Sequence, residues 1–138
     1  MTQAIDVIRD ALEQLRVADA NAPLDDNDVA SALRALNAMG RAWEADGLSL
    51  GWSDVAAAQD AMPTPPETDE AIGANLAVRL AARYGTQASA TTVALASSGV
   101  SLIRAMVANN DFSRCSYDDL PRGTGQHLGG GWRQGFVH

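Results

Sequence analysis

The sequence has no lysine, one cysteine, few aromatic residues and no acid-poor, arginine-rich stretch. Each shortage excludes something. With Cys115 alone, no internal disulfide can form, and a lone thiol is compatible with a reducing compartment. All ten cationic side chains are arginines, set against seventeen acids, so the net charge is −7. Such a chain lacks the excess of cations that grips nucleic acid by its phosphates or adheres to anionic membranes. It can still form a wall that a polyanion slides past, because an acidic surface repels phosphate. The first twenty residues carry charges throughout and have no apolar central run, so no secretory leader is expected. No stretch reads as a membrane span.

What is present is alanine, in a chain of 138 residues, enough for one domain. Small side chains let helices lie close together, and alanine loses no side-chain entropy in a helix. The periodicity predicts four helices. The first runs from about Thr2 to Val17, with Ile5, Ile8, Leu12 and Leu15 on one stripe. Asn21 to Pro23 connect it to a second. There the acids of Asp25–Asp28 suit a helix N-terminus, and Val29, Leu33, Leu36, Met39 and Trp43 share a face. Gly47 falls where a left-handed C-terminal residue belongs.

Leu48–Trp52 is short and apolar, and Val55–Met62 reads as a helical turn or a loop. Pro63, Pro65 and Pro66 forbid a continuous helix. Glu67, Asp69 and Glu70 precede a third helix with stripe Ile72, Leu76, Leu80 and Tyr84, stopped by Gly85. Asn75 and Arg79 lie beside that stripe. The fourth starts near Ser89, carries Val93, Ala96, Val100, Ile103 and Val107 on its stripe, and ends at Asn109–Asn110. Gly99 weakens its interior. From Phe112 onward there are six glycines, Pro121 and no helical period. Residues 112–138 hold three arginines and two acids, a net +1, whereas residues 1–111 hold seven arginines and fifteen acids, a net −8. The expected organisation is all-α: a four-helix bundle over residues 1–111 with an extended C-terminal arm over residues 112–138.

Candidate chemistry is sparse. His127 and His138 lie far apart with only Cys115 nearby, which matches no zinc spacing. Cys115, between Arg114 and Ser116, has no positioned histidine to activate it. Glu67, Asp69 and Glu70, and next Asp25, Asp26 and Asp28, are the carboxylate clusters able to act on a glycosidic bond. Both stand where helix starts place acids. Gly123–Gly131 has glycines but no lysine, preceding strand or following helix, so it reads as a flexible arm and not a phosphate loop. No catalytic residue, metal or cofactor is expected. Trp43 belongs to a core stripe. Trp52 and Trp132 stand in segments without a core face, where aromatics often anchor a partner surface. For Trp52, plugging the end of the bundle remains an equal alternative.

Three segments carry a resemblance. Leu36-Asn37-Ala38-Met39-Gly40-Arg41-Ala42-Trp43-Glu44-Ala45-Asp46-Gly47-Leu48-Ser49-Leu50 resembles a segment of the head-to-tail adaptor proteins of tailed bacteriophages. This is the head-completion, packaged-DNA-stabilising, tail-accessory family. There a helix with Leu-Asn-x-Met, and a Trp four residues on, ends at Gly-Leu-x-Leu. Gly40 departs from the pattern, which expects a better helix former. Ala71-Ile72-Gly73-Ala74-Asn75-Leu76-Ala77-Val78-Arg79-Leu80-Ala81-Ala82-Arg83-Tyr84-Gly85 is similar to the family's third helix, which also follows a proline-containing loop. Leu120-Pro121-Arg122-Gly123-Thr124-Gly125 is similar to the segment that opens the family's C-terminal arm.

The resemblance implies a non-enzymatic virion protein, made in the host cytoplasm and placed at the head–tail junction. It implies a ring of identical copies, typically twelve, beneath the portal protein. The arm docks on the portal, and the loop between the second and third helices helps meet the next tail or stopper component. DNA passes through the channel without sequence-specific binding, during packaging and ejection, and no membrane is involved. On this reading Arg122, Trp132, Arg133 and Phe136 are candidate portal contacts, and Trp52 a contact on the other side. An unrelated helical interaction module, or a carboxylate-dependent glycan hydrolase using Glu67 or a neighbour, are the rival readings.

Overall fold

An apolar stripe alone does not start or stop a helix; the terminal backbone groups need partners. The computed structural model describes the backbone of residues 1–19 and 21–114, with side chains through residue 110. Among these the secondary structure is helical: α1 (Ala4–Gln14), α2 (Asp26–Ala45), a 3-10 turn (Pro66–Thr68) leading into α3 (Asp69–Ala81), and α4 (Ala90–Arg114). No strand forms among the described residues; an isolated bridge pairs Gln3 with Ala61. The packing below is that of the unit Met1–Ala108.

α1 is shorter than its periodicity predicts. At its start, the Ala4 and Ile5 amides donate to Asp60 O at 2.9 Å and Ala58 O at 2.7 Å, and Met62 N donates to Thr2 O at 2.9 Å. Thr2 and Gln3 are therefore extended and paired with residues 58–62, not helical. At its end, Arg16 adopts a left-handed φ of 58°. Arg16 N then donates to Glu13 O at 2.9 Å and Val17 N to Leu12 O at 3.0 Å, the paired bonds of a Schellman stop. A non-glycine residue there is strained, so nothing in residue type predicts the stop.

α2 and α3 end as expected. Gly47 has φ 88° and Gly85 φ 63°. Leu48 N donates to Trp43 O at 2.9 Å, and Thr86 N to Ala81 O at 3.0 Å. Leu48 and Trp43 are both buried, the apolar contact that accompanies this stop. Asp25 sits at the N-cap of α2, but its carboxylate makes no cap hydrogen bond; it favours the helix start through the dipole. Asp28 has another partner: it accepts the Tyr84 hydroxyl at 2.9 Å. With Arg83 donating to Ser31 O at 3.3 Å, this ties the end of α3 to the start of α2.

The core is built from α1, α2 and α3. Ile8, Leu12, Leu36, Met39, Ile72 and Leu76 are fully buried, and alanines such as Ala4, Ala11, Ala32 and Ala74 fill the spaces between them. α3 supplies the central strip and packs most extensively against α1.

α4 departs from expectation in three ways. Ser89 caps it, accepting the Thr92 amide at 3.1 Å, but Asn109 and Asn110 do not end it. The helix runs on to Arg114, past the start of the expected arm. Its inward face is Thr92, Ala96, Gly99 and Ile103, with Val100 and Val107 partly buried, while Val93 is exposed. The cause is Gly99, where an added methyl would meet Ala71 Cα at 2.8 Å. The helix turns its glycine toward α3, and Asn75 Nδ2 bonds both Ala71 O at 2.7 Å and Ala96 O at 3.0 Å across the crossing. Finally, Ala90–Asn110 is long and apolar enough to cross a membrane by length and composition, with only 22% of the apolar window buried. Alanine, serine and glycine dilute the apolar run without adding charge, so the run does not stand out in the sequence.

Two outcomes follow from this packing. Gly99→Ala improves intrinsic helix propensity by about 1 kcal/mol, yet it must displace a neighbouring backbone. Urea unfolding is expected to show a net loss of about 1–3 kcal/mol. The second concerns Tyr84. Burial first, then the Asp28 hydrogen bond and charge, push its hydroxyl from 10.0 up to about 12. The folded value lies above the unfolded one. Its contribution to stability is therefore complete below pH 10 and lost as pH rises through 12. Unfolding free energies over that window should fall more steeply for the wild type than for Tyr84→Phe.

Candidate partner-binding loop

Between α2 and α3 the chain spends residues 46–68 without an α-helix, and Trp52 lies in the first third of it. So long a connection keeps one shape only if its backbone groups find partners. They find them on side chains of α2. Asn37 clamps Val55: Val55 N donates to Asn37 Oδ1 at 2.9 Å, and Asn37 Nδ2 donates to Val55 O at 2.9 Å. One turn on, Arg41 forms a forked pair with Asp54, its Nε donating to Oδ1 at 2.9 Å. One further turn on, Glu44 Oε1 accepts the Trp52 amide at 2.8 Å. Three side chains on one face of α2 thus hold Val55, Asp54 and Trp52. The Asp60 carboxylate accepts the Ala57 amide at 2.9 Å and shapes the far side of the loop.

The Trp52 ring lies against Gly40, where any Cβ would run into the indole. The glycine makes the seat for the ring. Trp52 is half-buried and packs on the core. Its Nε1 is buried and closes no hydrogen bond of standard geometry among the described residues. The Asp54 carboxyl is held below its ordinary 3.8, chiefly by the Arg41 hydrogen bond, with a smaller contribution from the nearby indole. Arg41 and Asp54 are both well exposed, so the pair sets loop geometry more than stability.

Of the other expected partner contacts, Arg122, Trp132, Arg133 and Phe136 lie outside the described residues, as do Cys115, His127, His138 and the glycine-rich segment. Of the carboxylates, Asp69 and Glu70 line a cleft of about 470 Å³ with Asp10, Glu13, Gln14 and Gly73. Burial, then the charges of Glu13, Asp6 and Asp69, push the Asp10 carboxyl above 3.8. The arrangement concentrates negative charge and favours proton retention on Asp10. Among the described residues no cluster of three or more His, Cys, Asp or Glu is placed to hold a metal ion.

The loop anchors Asn37, Arg41 and Glu44 have no role in a reading by apolar periodicity. Their signal is spacing: polar residues at i, i+4 and i+7 on one helix face, facing a segment rich in backbone donors without a helix of their own. Asn37→Ala removes both partners of Val55. It should cost about 1–3 kcal/mol and abolish the slow amide exchange of Val55, whereas Asn37→Asp, which keeps the acceptor, should preserve that protection. Compared with models of known protein families and with curated proteins, the chain matches none.

Proposed function

We propose that this protein is a head-to-tail adaptor of a tailed bacteriophage: a four-helix bundle with an extended C-terminal arm that assembles as a ring beneath the portal. In this role it prolongs the DNA channel, retains packaged DNA and offers the tail or stopper its attachment site. The observation that carries the reading is the coincidence of the family-like residues with the fasteners of the fold. Asn37 clamps the loop, Trp43 and Leu48 close the end of α2 around Gly47, and Asn75 bridges α3 to α4. A pattern whose members each fix a backbone position specifies a geometry, not merely a composition.

Trp52 then serves both alternatives. Its buried side completes the packing, and the part of this half-buried residue left exposed is the contact for the downstream component. The excess of acids suits a channel wall that lets phosphate pass without holding it. Arg122, Trp132, Arg133 and Phe136 carry the portal contact, through charge and aromatic burial, and an arm ordered on docking couples assembly to the arrival of its partner.

Light scattering of the full chain, alone and mixed with portal protein, tests this. Association with portal is expected for the full chain and should be lost for a chain cut after Pro121 and weakened by Trp132→Ala. If the full chain never joins portal, the unrelated helical module becomes the better reading.

A further inference from the structure

Among the described residues, six large apolar side chains are exposed, and three of them, Val93, Leu95 and Leu102, belong to α4. Leu95 and Leu102 are seven residues apart, two turns, and so share one side of the helix. With Ser98 they form one wall of a groove of about 130 Å³, whose other wall is Glu67, Glu70 and Ala71 at the start of α3. α4 itself brings no acid to this unit and a single cation, Arg104. The groove is therefore apolar inside and acidic along one rim.

That chemistry limits what covers it. Two copies of the groove placed face to face would gather four carboxylates, which disfavours symmetric pairing. The complement is an apolar surface carrying an arginine. The chain presents one on the outer side of α3, where Val78, Arg79 and Ala82 are all exposed. Val78 and Ala82 are neighbours at i and i+4, and Arg79 lies beside Ala82 at i−3. Val17 with Arg16 is the other exposed valine–arginine pair, but it sits on the strained stop of α1 and presents no helical ridge. Glu70 and Arg79 are nine residues apart, two and a half turns, so they leave α3 on opposite sides. Complementary surfaces on opposite sides join copies head to tail, and such contacts close into rings or run on as filaments.

We propose that the groove between α4 and the start of α3 receives Val78, Arg79 and Ala82 of a second copy of this chain. Arg79 meets Glu67 and Glu70, while Leu95 and Leu102 cover Val78 and Ala82. Arginine suits this place because its planar fork binds carboxylates in pairs. The contact depends on the adaptor reading only for closure into a ring of fixed number.

The test uses the full chain with Cys115→Ser, with Ser98→Cys and Val78→Cys introduced singly and together, under mild oxidation, concentrated and after addition of portal. Circular dichroism establishes that each variant is folded. The double variant should give a ladder of linked copies, and each single variant none. Separately, Glu67→Arg with Glu70→Arg, and Arg79→Glu, should each lose the higher-mass species in light scattering, and mixing the two should restore it. Linked dimers from Ser98→Cys alone, linkage of Ser98→Cys to portal, burial of labelled Ser98→Cys in phosphatidylcholine vesicles, or no linkage at all would each overturn the contact. If portal association proceeds while charge reversal changes nothing, the contact fails and the adaptor reading stands. A ladder without any portal association retains the contact and removes the adaptor reading.

Discussion

The unit depends on the way its longest irregular segment is held at both edges. α1 cannot satisfy the amides of its own first turn, and residues 46–68 cannot satisfy their backbone from within. Each supplies what the other lacks: the Ala58 and Asp60 carbonyls take the Ile5 and Ala4 amides, and Thr2 takes the Met62 amide. On the opposite edge Asn37, Arg41 and Glu44 fix the same segment to α2. A loop fastened on two sides behaves as a third layer of packing, and it brings Val55 and Met62 into the core that α1, α2 and α3 share.

Small side chains make this arrangement close-fitting. Gly40 leaves room for an indole and Gly99 lets α4 approach the backbone of Ala71. Both glycines weaken their helices intrinsically, by about 1 kcal/mol each relative to alanine, and both are retained where a methyl would collide. The same economy leaves α4 with little large apolar surface turned inward and two leucines and a valine turned outward. In the proposed assembly that outward surface is the part completed by a neighbour, so the stability of α4 and the formation of the ring are two aspects of one burial.

Much of this was readable in the sequence, and the failures have physical reasons. α2 and α3 were legible because stripe and stop agree: Trp43 with Gly47, Leu80 with Gly85. α1 was not, at either end, because its start is set by distant carbonyls and its stop by an arginine in a left-handed conformation. The face of α4 was misread at Val93, since periodicity weighs a valine as core and cannot know that a glycine must face Ala71. The loop was opaque because its order comes from amide clamps eighteen residues apart, such as Asn37 with Val55, which leave no local pattern. Trp52 was legible as an aromatic without a helical face, but its seat on Gly40 was not. The remaining candidate contacts lie beyond the described residues.

The two edges of the loop also differ in the length of chain they close. The Asn37–Val55 clamp spans eighteen residues, whereas the pairing of Ala4 and Ile5 with residues 58–60 closes a loop roughly three times as long. Closure entropy makes the longer one costlier by about 1 kcal/mol. Closure entropy therefore favours laying the segment against α2 first, where it offers a finished row of carbonyls on which α1 can start. On that order, α1 waits for the segment between α2 and α3.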